Sequence, residues 1–240
     1  MLPSSRSPQG RPTIFQAGAS EAGRALAADV ADVVFTSQDH LPDAREFYRE
    51  VKLRVAEAGR DPDEVLVMPG VVAIVAPTRE QALEVQARLD DAIDDERARR
   101  TLSSLLGWDT SALPFDAPVD AAPVQTDGHR SRARQLHERA VREGLSVGRL
   151  ARVAEATRGH LLVVGSPQDV ADELLAWFHE EAADGFVVGP AVMPAGLRRF
   201  TRDVVPLLRA AGVRPDRPRG ATLRARLGLE RARETTAANR

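Results

Sequence analysis

PTIFQAGASEAGR (Pro12–Arg24) is the stretch of this sequence that decides its fold. Its apolar run Thr13–Ala17 ends at Gly18, a pattern that predicts a buried β-strand followed by a turn. Ser20 then stands at the N-cap position of a helix predicted to run to about Ala31. The stretch therefore places a hydroxyl and unpaired backbone N–H groups at a helix N-terminus, where an anion such as a phosphate is commonly held.

The alternation of strand and helix continues downstream. Asp32–Thr36 predicts a second strand and Leu41–Gly59 a second helix. Val65–Ala76 predicts a third strand with a break or bulge at Pro69 and Gly70, and another helix follows it. This order favours a parallel sheet with right-handed crossovers.

The pattern lapses over about residues 94–130, which is too long for an ordinary connection. We expect an insertion that lies over an active site or acts as a mobile lid. The elements predicted beyond it are helices at Ser131–Glu143, Ser146–Thr157 and Ser166–Glu181, a brief extended piece at Leu161–Val164, a fourth full strand at Gly185–Val188 and a last helix at about Leu197–Ala211. Only four strand–helix units are predicted, whereas a closed (β/α)8 barrel needs eight.

Composition narrows the function classes. The net charge of −2 over 240 residues gives no overall attraction to nucleic acid or to an anionic membrane surface. The chain has no cysteine, which excludes disulfides and thiolate chemistry, and its five histidines show no metal-ligand spacing. No apolar run is long enough to cross a membrane and no signal peptide is recognisable, so we expect a cytoplasmic protein without a metal.

Several ordered segments resemble the two-component FMN-dependent monooxygenases, and in particular the nitrilotriacetate monooxygenase component A group of the bacterial-luciferase-like superfamily. The segments that carry the resemblance are SRSPQGRPTIFQAGASEAGR (Ser5–Arg24), ADVVFT (Ala31–Thr36), REFYREVKLR (Arg45–Arg54), GLSVGRLARVAEATRGHLLVVGSPQDVADELLAWF (Gly144–Phe178), AADGF (Ala182–Phe186) and TLRARLGL (Thr222–Leu229).

The resemblance implies an α/β fold that is a partial TIM (β/α)8 barrel. The predicted strands would be strands five to eight, with a long insertion after the seventh. Residues 1–213 would form the C-terminal half of the barrel domain, including the insertion at about 94–130, and residues 214–240 a C-terminal surface tail. The first half of such a barrel is not expected within this sequence.

The resemblance also implies an activity, in which reduced FMN and O2 oxygenate a small organic substrate. The reduced FMN would come from a separate NAD(P)H:flavin reductase. We expect the chain to be a homo-oligomer or to need a missing N-terminal half, because four strands alone would leave two sheet edges open. A flavin-binding module without turnover and an inactive gene fragment stay open as alternatives.

The candidate cofactor residues follow from the first segment. Ser20 is expected to contact the FMN phosphate together with the backbone of Gly18 and Ala19, where relatives often carry a second serine in place of the alanine. Gln16 lies at the end of the first strand. Arg24 lies one helical turn after Ser20, where it would either reach the phosphate or pair with a neighbouring acid and cover the helix surface. No catalytic acid or base can be assigned from this sequence.

Overall fold

The computed structural model describes residues 7–18, 20–119, 130–213 and 220–230, without the side chains of residues 130–132. Within these ranges the protein has an α/β fold with a five-stranded, parallel sheet. The strands are β1 (Phe15–Gln16), β2 (Val33–Thr36), β3 (Leu66–Val75), β4 (Leu161–Gly165) and β5 (Val187–Pro190).

Helices connect the strands and follow the last one. The α-helices of the described ranges are α1 (Glu21–Val30), α2 (Leu41–Glu57), α3 (Arg79–Asp91), α4 (Asp95–Leu106), α5 (Arg130–Glu143), α6 (Val147–Thr157), α7 (Pro167–His179), α8 (Ala195–Arg199), α9 (Val205–Ala210) and α10 (Leu223–Arg226). A 3-10 turn, Pro62–Glu64, precedes β3, and a π-helical turn, Phe200–Val204, joins α8 to α9.

β3 is the central strand and pairs along both of its edges. The N–H groups of Leu66 and Ala76 donate to the chain of β2 and of β4 respectively, while the carbonyls of Val67 and Ala73 accept from the chain that carries β5. Alternate residues of a strand direct their backbone groups to opposite edges. β2 and β4 therefore follow one another along one edge of β3, and β5 takes the other edge.

The expected break at Pro69 and Gly70 is wrong, because β3 runs through both residues. The strand changes partner there instead: the ladder to β2 ends at Pro69 and the ladder to β4 begins at Val71. Pro69 lacks an N–H, but its backbone faces the β5 edge, where the ladder starts only at Gly70. The missing donor therefore leaves no sheet hydrogen bond unmade.

Three further sequence expectations need revision. The segment expected as a brief extended piece is the full strand β4, paired with Val71–Val75, so the sheet has one strand more than expected. The fourth expected strand lies two residues later, at Val187–Pro190. The expected last helix is divided by the π-helical turn into α8 and α9.

Helices cover one face of the sheet. Val34 and Val67 pack with α1 and α2, while Val71, Ala73 and Leu161 pack with α7 and the π-helical turn. A third buried cluster lies within α4, α5 and α6 and gives the inserted helices a core of their own. The insertion is therefore a packed helical unit over the residues that the structure describes.

The opposite face of the sheet is apolar but incompletely covered. Because side chains alternate along a strand, Phe15, Phe35, Met68, Val72 and Val187 point away from the helices. Phe15 in β1 is 49% exposed and Val187 in β5 is 40% exposed. In the described ranges each of these two strands pairs with a single neighbour. Parallel sheets are normally buried on both faces, so this surface needs a further covering layer.

Candidate functional site

The N-terminus of α1 is formed by Ser20. Its backbone is extended (φ −70°, ψ 164°), and its Oγ accepts a hydrogen bond of 3.2 Å from the N–H of Gly23. A hydroxyl that accepts in this way still has its own hydrogen to donate. The amides of Glu21 and Ala22 have no partner within α1, because the first turn of a helix leaves its N–H groups unpaired.

The turn before α1 approaches the helix closely. A Cβ added to Gly23 would lie 2.8 Å from the carbonyl carbon and oxygen of Gly18, so only glycine permits this contact. The N–H of Gly18 donates to Oε1 of Gln16 at 3.0 Å, which folds the Gln16 side chain back onto the turn. The result is a compact loop with an exposed hydroxyl and helix amides, a donor set that fits a phosphate group. Ala19 lies outside the described residues.

Arg24 points toward α2. Its guanidinium lies 3.2 Å from a carboxylate oxygen of Glu21 and 3.2 Å from one of Glu50. Its backbone N–H donates to the carbonyl of Ser20. Arg24 therefore neighbours the candidate phosphate position, but in this structure its charge is balanced by two acids.

A second polar cluster lies where β2 ends, and the sequence analysis missed it. Thr36, Ser37 and Gln38 are all buried. Nε2 of Gln38 donates to Oγ1 of Thr36 at 3.2 Å, and its Oε1 accepts from Nε2 of Gln135 on α5 at 2.9 Å. Oγ of Ser37 lies 3.1 Å from Nδ1 of His160.

The cluster occupies the side of the sheet where the active sites of α/β barrels lie, at the carboxyl ends of the strands. The sequence contained one signal for this cluster, because a run of polar residues directly follows the buried strand β2. Gln135 and His160 are distant in sequence, and no local pattern connects them to β2. Next to the cluster is a cavity of about 420 Å³, lined by residues that include Arg24, Gln38, Glu50 and Gln135.

An ion pair holds α5 against the same end of β2. Nη1 of Arg139 lies 3.2 Å from Oδ2 of Asp39, and both side chains are largely buried. Burial raises the pKa of Asp39, and the charges of Arg139 and Arg142 only partly oppose this effect. The inserted helices are thus fixed to the sheet through α5.

The opposite end of β2 carries a different buried acid. Asp32 accepts hydrogen bonds from both Nη atoms of Arg11 and from the N–H of Ile14, and it lies 2.6 Å from Nη1 of Arg224. Burial alone would raise the pKa of Asp32, but the hydrogen bonds from Arg224, Ile14 and Arg11 outweigh it and lower that pKa. Asp32 lies at the amino end of β2. In α/β barrels the amino ends of the strands serve stability rather than catalysis.

The contact between Asp32 and Arg224 attaches part of the expected surface tail to the fold. Arg224 is 7% exposed and Leu229 is 6% exposed, so these two residues anchor residues 220–230 to the fold, while most other residues of the segment are exposed at the surface. Residues 214–219 and 231–240 lie outside the described residues. The acid that anchors the segment, Asp32, is distant in sequence, so no local pattern indicated this contact.

The described part of the chain shows no group of three or more potential metal ligands. Over the same residues, no helix is both long enough and apolar enough to span a membrane.

Comparisons with known proteins agree with the resemblance seen in the sequence. The chain is 39% identical over 229 residues to N-acetyl-S-(2-succino)cysteine monooxygenase of Bacillus subtilis (strain 168), which covers 95% of this chain and 52% of that protein. It is 37% identical over 233 residues to nitrilotriacetate monooxygenase component A of Aminobacter aminovorans, covering 97% of this chain and 51% of that protein. The chain spans about half the length of these relatives.

Solved structures share the fold. The crystal structure of DmoA from Hyphomicrobium sulfonivorans superposes with a TM-score of 0.82 at 28% identity, over 94% of this chain and 47% of that one. Riboflavin lyase, solved with modified FMN and riboflavin, superposes with a TM-score of 0.77 at 28% identity, over 95% of this chain and 50% of that one.

The family model described as luciferase-like monooxygenase matches residues 2–185. This range holds the N-terminus of α1, the cluster at the end of β2 and the inserted helices. The chain belongs to the luciferase-like monooxygenase family.

Proposed function

We propose that this chain forms the C-terminal half of a (β/α)8 barrel, with β1, β2, β3 and β5 as strands five to eight. In this proposal β4 belongs to the insertion, because it extends the edge of β3 beyond the end of β2. The incompletely covered apolar face supports the assignment, and so does the span of about half the length of the relatives. Residues 1–213 then form the half-barrel and residues 214–240 its C-terminal tail. The insertion, expected at about 94–130, extends in this proposal from α4 through β4, over residues 95–165.

The same proposal places the FMN phosphate at the N-terminus of α1. The observation that carries it is the exposed Ser20 hydroxyl beside the close approach of Gly18 and Gly23. Ser20 would donate its hydroxyl hydrogen to a phosphate oxygen, and the amides of Glu21 and Ala22 would add further donors. Gln16 would support the site by holding the turn, and Arg24 would add positive potential if a phosphate drew it from Glu21 and Glu50.

The activity we propose is the oxygenation of a small organic substrate by the complete barrel. Reduced FMN, when bound, supplies the activation of O2 in such an enzyme. This chain would hold the phosphate end, and its apolar strand face would exclude water from the reaction space. A separate NAD(P)H:flavin reductase would supply the reduced FMN, an arrangement in keeping with the name component A of one relative. The enzyme would work in the cytoplasm, where that reductase finds NAD(P)H.

Calorimetric titration of the 240-residue chain with FMN and with riboflavin tests the phosphate site. Riboflavin has the same ring and lacks the phosphate, so we expect FMN to bind more tightly. Ser20→Ala should reduce the affinity for FMN and leave the affinity for riboflavin unchanged. Losing one charge-assisted hydrogen bond costs about 1.5–3 kcal/mol, which is about a tenfold loss or more.

The matched control is Ser146→Ala. Ser146 caps α6 in the same way, with its Oγ accepting from the N–H of Arg149 at 3.3 Å, but it lies in the insertion. Equal affinity of the unchanged chain for FMN and riboflavin would contradict the phosphate site. Affinity without turnover in a completed barrel would support the flavin-binding module instead, and no binding of either flavin would support the inactive fragment.

A further inference from the structure

The imidazole of His160 lies on the incompletely covered face of the sheet. Gly70 faces the same way as Met68 and Val72, because alternate residues of a strand share a face. A Cβ built on Gly70 would lie 2.5 Å from Nδ1 of His160 and 2.9 Å from each neighbouring ring atom, Cγ and Cε1. Such similar distances arise when a ring presents its face, rather than its edge, to the strand. One face of the imidazole therefore covers Gly70, and the opposite face is turned away from β3.

The chain before His160 fixes the position of this ring. Helix α6 ends with two residues in the left-handed region, Arg158 (φ 54°) and Gly159 (φ 81°). The N–H of His160 then donates to the carbonyl of Thr157 at 3.0 Å. Nδ1 of the same residue lies 3.1 Å from Oγ of Ser37, which directly follows β2. The imidazole is thus held both by the turn that carries it and by a residue from another strand.

Apolar side chains extend the surface around the imidazole. Phe35 packs on it with ring centroids 5.3 Å apart and the two planes tilted by 43°. Met68 is the register partner of Phe35 in the neighbouring strand, and Val72 lies beyond Gly70 in β3. These four side chains form the aromatic wall, which consists of Phe35, Met68, Val72 and His160. All four are only partly buried, so the wall offers contact area to a ligand.

We propose that the aromatic wall binds the isoalloxazine ring of the flavin, with the outward face of the His160 imidazole stacked against that ring. This inference rests on the proposed function, which places the phosphate of the same flavin at the N-terminus of α1. It adds the residue that the ring contacts.

One flavin is long enough to occupy both positions. Gln16, at the end of β1, is the register partner of Val34 in β2. Ser20 follows Gln16 after a short turn, and Ser37 follows Val34 after a similar length of chain, so both lie beyond the carboxyl ends of neighbouring strands. Neighbouring strands are about 4.8 Å apart, and the ribityl chain between phosphate and ring is longer than this spacing.

The chemistry of the wall suits a flavin ring. Isoalloxazine is planar, with an apolar dimethylbenzene part and a part rich in nitrogen and oxygen. Aromatic side chains stack favourably on planar rings, and Met68 and Val72 would cover the apolar part. The hydroxyl of Ser37 beside His160 supplies a polar group for the other part. The small organic substrate is the other candidate occupant of the wall, and the following experiment separates the two.

Riboflavin tests the proposal on the 240-residue chain, because it carries the ring without the phosphate. We expect riboflavin to shift the imidazole proton resonances of His160 in NMR spectra, through the ring current of the stacked flavin. His179 is the matched control, since it packs on Phe178 with ring centroids 5.5 Å apart but lies exposed on α7. Its resonances should not move. Bound riboflavin that leaves His160 unchanged would overturn the proposal and assign the wall to the substrate.

Substitution of His160 tests the contact by affinity. His160→Leu should weaken the binding of riboflavin and of FMN by the same factor, about two- to tenfold, which corresponds to the loss of one aromatic contact. His160→Phe keeps an aromatic face and should retain most of the affinity, although it loses the contact with Ser37. His179→Leu should change neither affinity. Equal losses in His160→Leu and His160→Phe would overturn the stacking. The NMR experiment needs no variant, so it decides the question even if a variant does not fold.

These outcomes are separate from those of the phosphate test. Equal affinities for FMN and riboflavin, both weakened by His160→Leu, would refute the phosphate site and retain the ring contact. A preference for FMN that depends on Ser20, without any change at His160, would do the reverse. Failure of both flavins to bind would overturn both proposals.

Discussion

Oγ of Ser37 lies 3.1 Å from Nδ1 of His160, and this contact joins the end of β2 to the start of β4. The imidazole also packs on Phe35, with ring centroids 5.3 Å apart. A Cβ on Gly70 would lie 2.5 Å from Nδ1 of His160, so the central strand leaves room for the ring at the point where it changes partner. The polar cluster at the end of β2 thus depends on a glycine in β3.

Gly70→Ala should therefore destabilise the protein by about 1–3 kcal/mol, the usual cost of overpacking a tight site. Urea denaturation followed by circular dichroism measures the change. His160→Ala removes the clash, so the double variant Gly70→Ala/His160→Ala should lose less than the sum of the two single losses. Strict additivity would mean that the ring does not occupy this space.

Asp32→Asn should cost about 3 kcal/mol or more near neutral pH, because it leaves Arg11 and Arg224 without their buried counter-charge. The pKa of Asp32 is lowered in the fold from its ordinary 3.8. Its stabilising contribution is therefore present above that ordinary value and is lost as the pH falls through the lower, folded value. Urea denaturation over an acid pH series should show that the unchanged chain loses free energy of unfolding as the pH falls, and that Asp32→Asn lacks this loss. Asp29→Asn, on the exposed side of α1, is the control.

Asp39→Asn should change the pH dependence of the free energy of unfolding in the direction opposite to that of Asp32→Asn. Burial raises the pKa of Asp39 above its ordinary 3.8, so the folded state holds this proton more tightly than the unfolded state does. The contribution of Asp39 to stability is most favourable at pH values below its ordinary pKa. This contribution declines as the pH rises through the higher pKa of the folded state. The stability difference between the unchanged chain and Asp39→Asn should therefore move against the unchanged chain with rising pH. The same trend for Asp39→Asn as for Asp32→Asn would contradict the assignment.

Gly23→Ala should destabilise α1 and weaken FMN binding. At a solvent-exposed position inside a helix, Gly→Ala stabilises the helix by about 0.8–1 kcal/mol, because alanine has the higher helix propensity. Here the new Cβ would lie 2.8 Å from the backbone of Gly18, so the turn must move. Thermal unfolding and FMN titration of the same sample measure both effects. A more stable variant with unchanged FMN affinity would show that the close turn has no part in the site.

Local patterns predicted most of the fold. The turn and helix that end the stretch Pro12–Arg24 and the N-cap at Ser20 follow from residue chemistry within a few positions. The strand predicted as buried over Thr13–Ala17 is only Phe15–Gln16, and Phe15 is 49% exposed, because no further layer covers this face of the sheet. Prediction from local patterns failed where the structure of a segment depends on a residue or strand that is distant in sequence. β4 is recognisable as a strand only through its ladder with β3, and the Pro69-Gly70 pair is compatible with a continuous strand only because the ladder changes partner there.

Some residues of the candidate site were predictable from local sequence and others were not. Ser20, Gly18 and Gln16 come together because they are neighbours in sequence, and their types suffice to predict a capped turn. Gln135 and His160 reach β2 through packing of α5 and through the position of β4. Such contacts carry no local signal.

The central claim is that the FMN phosphate binds at the N-terminus of α1. Amide NMR spectra of the 240-residue chain with FMN and with riboflavin test it most directly, because the two ligands differ only in the phosphate. The account predicts that the shifts specific to FMN concentrate at the amides of Ser20, Glu21 and Ala22. Identical shifts for the two ligands, or phosphate-specific shifts only at distant residues, would contradict it.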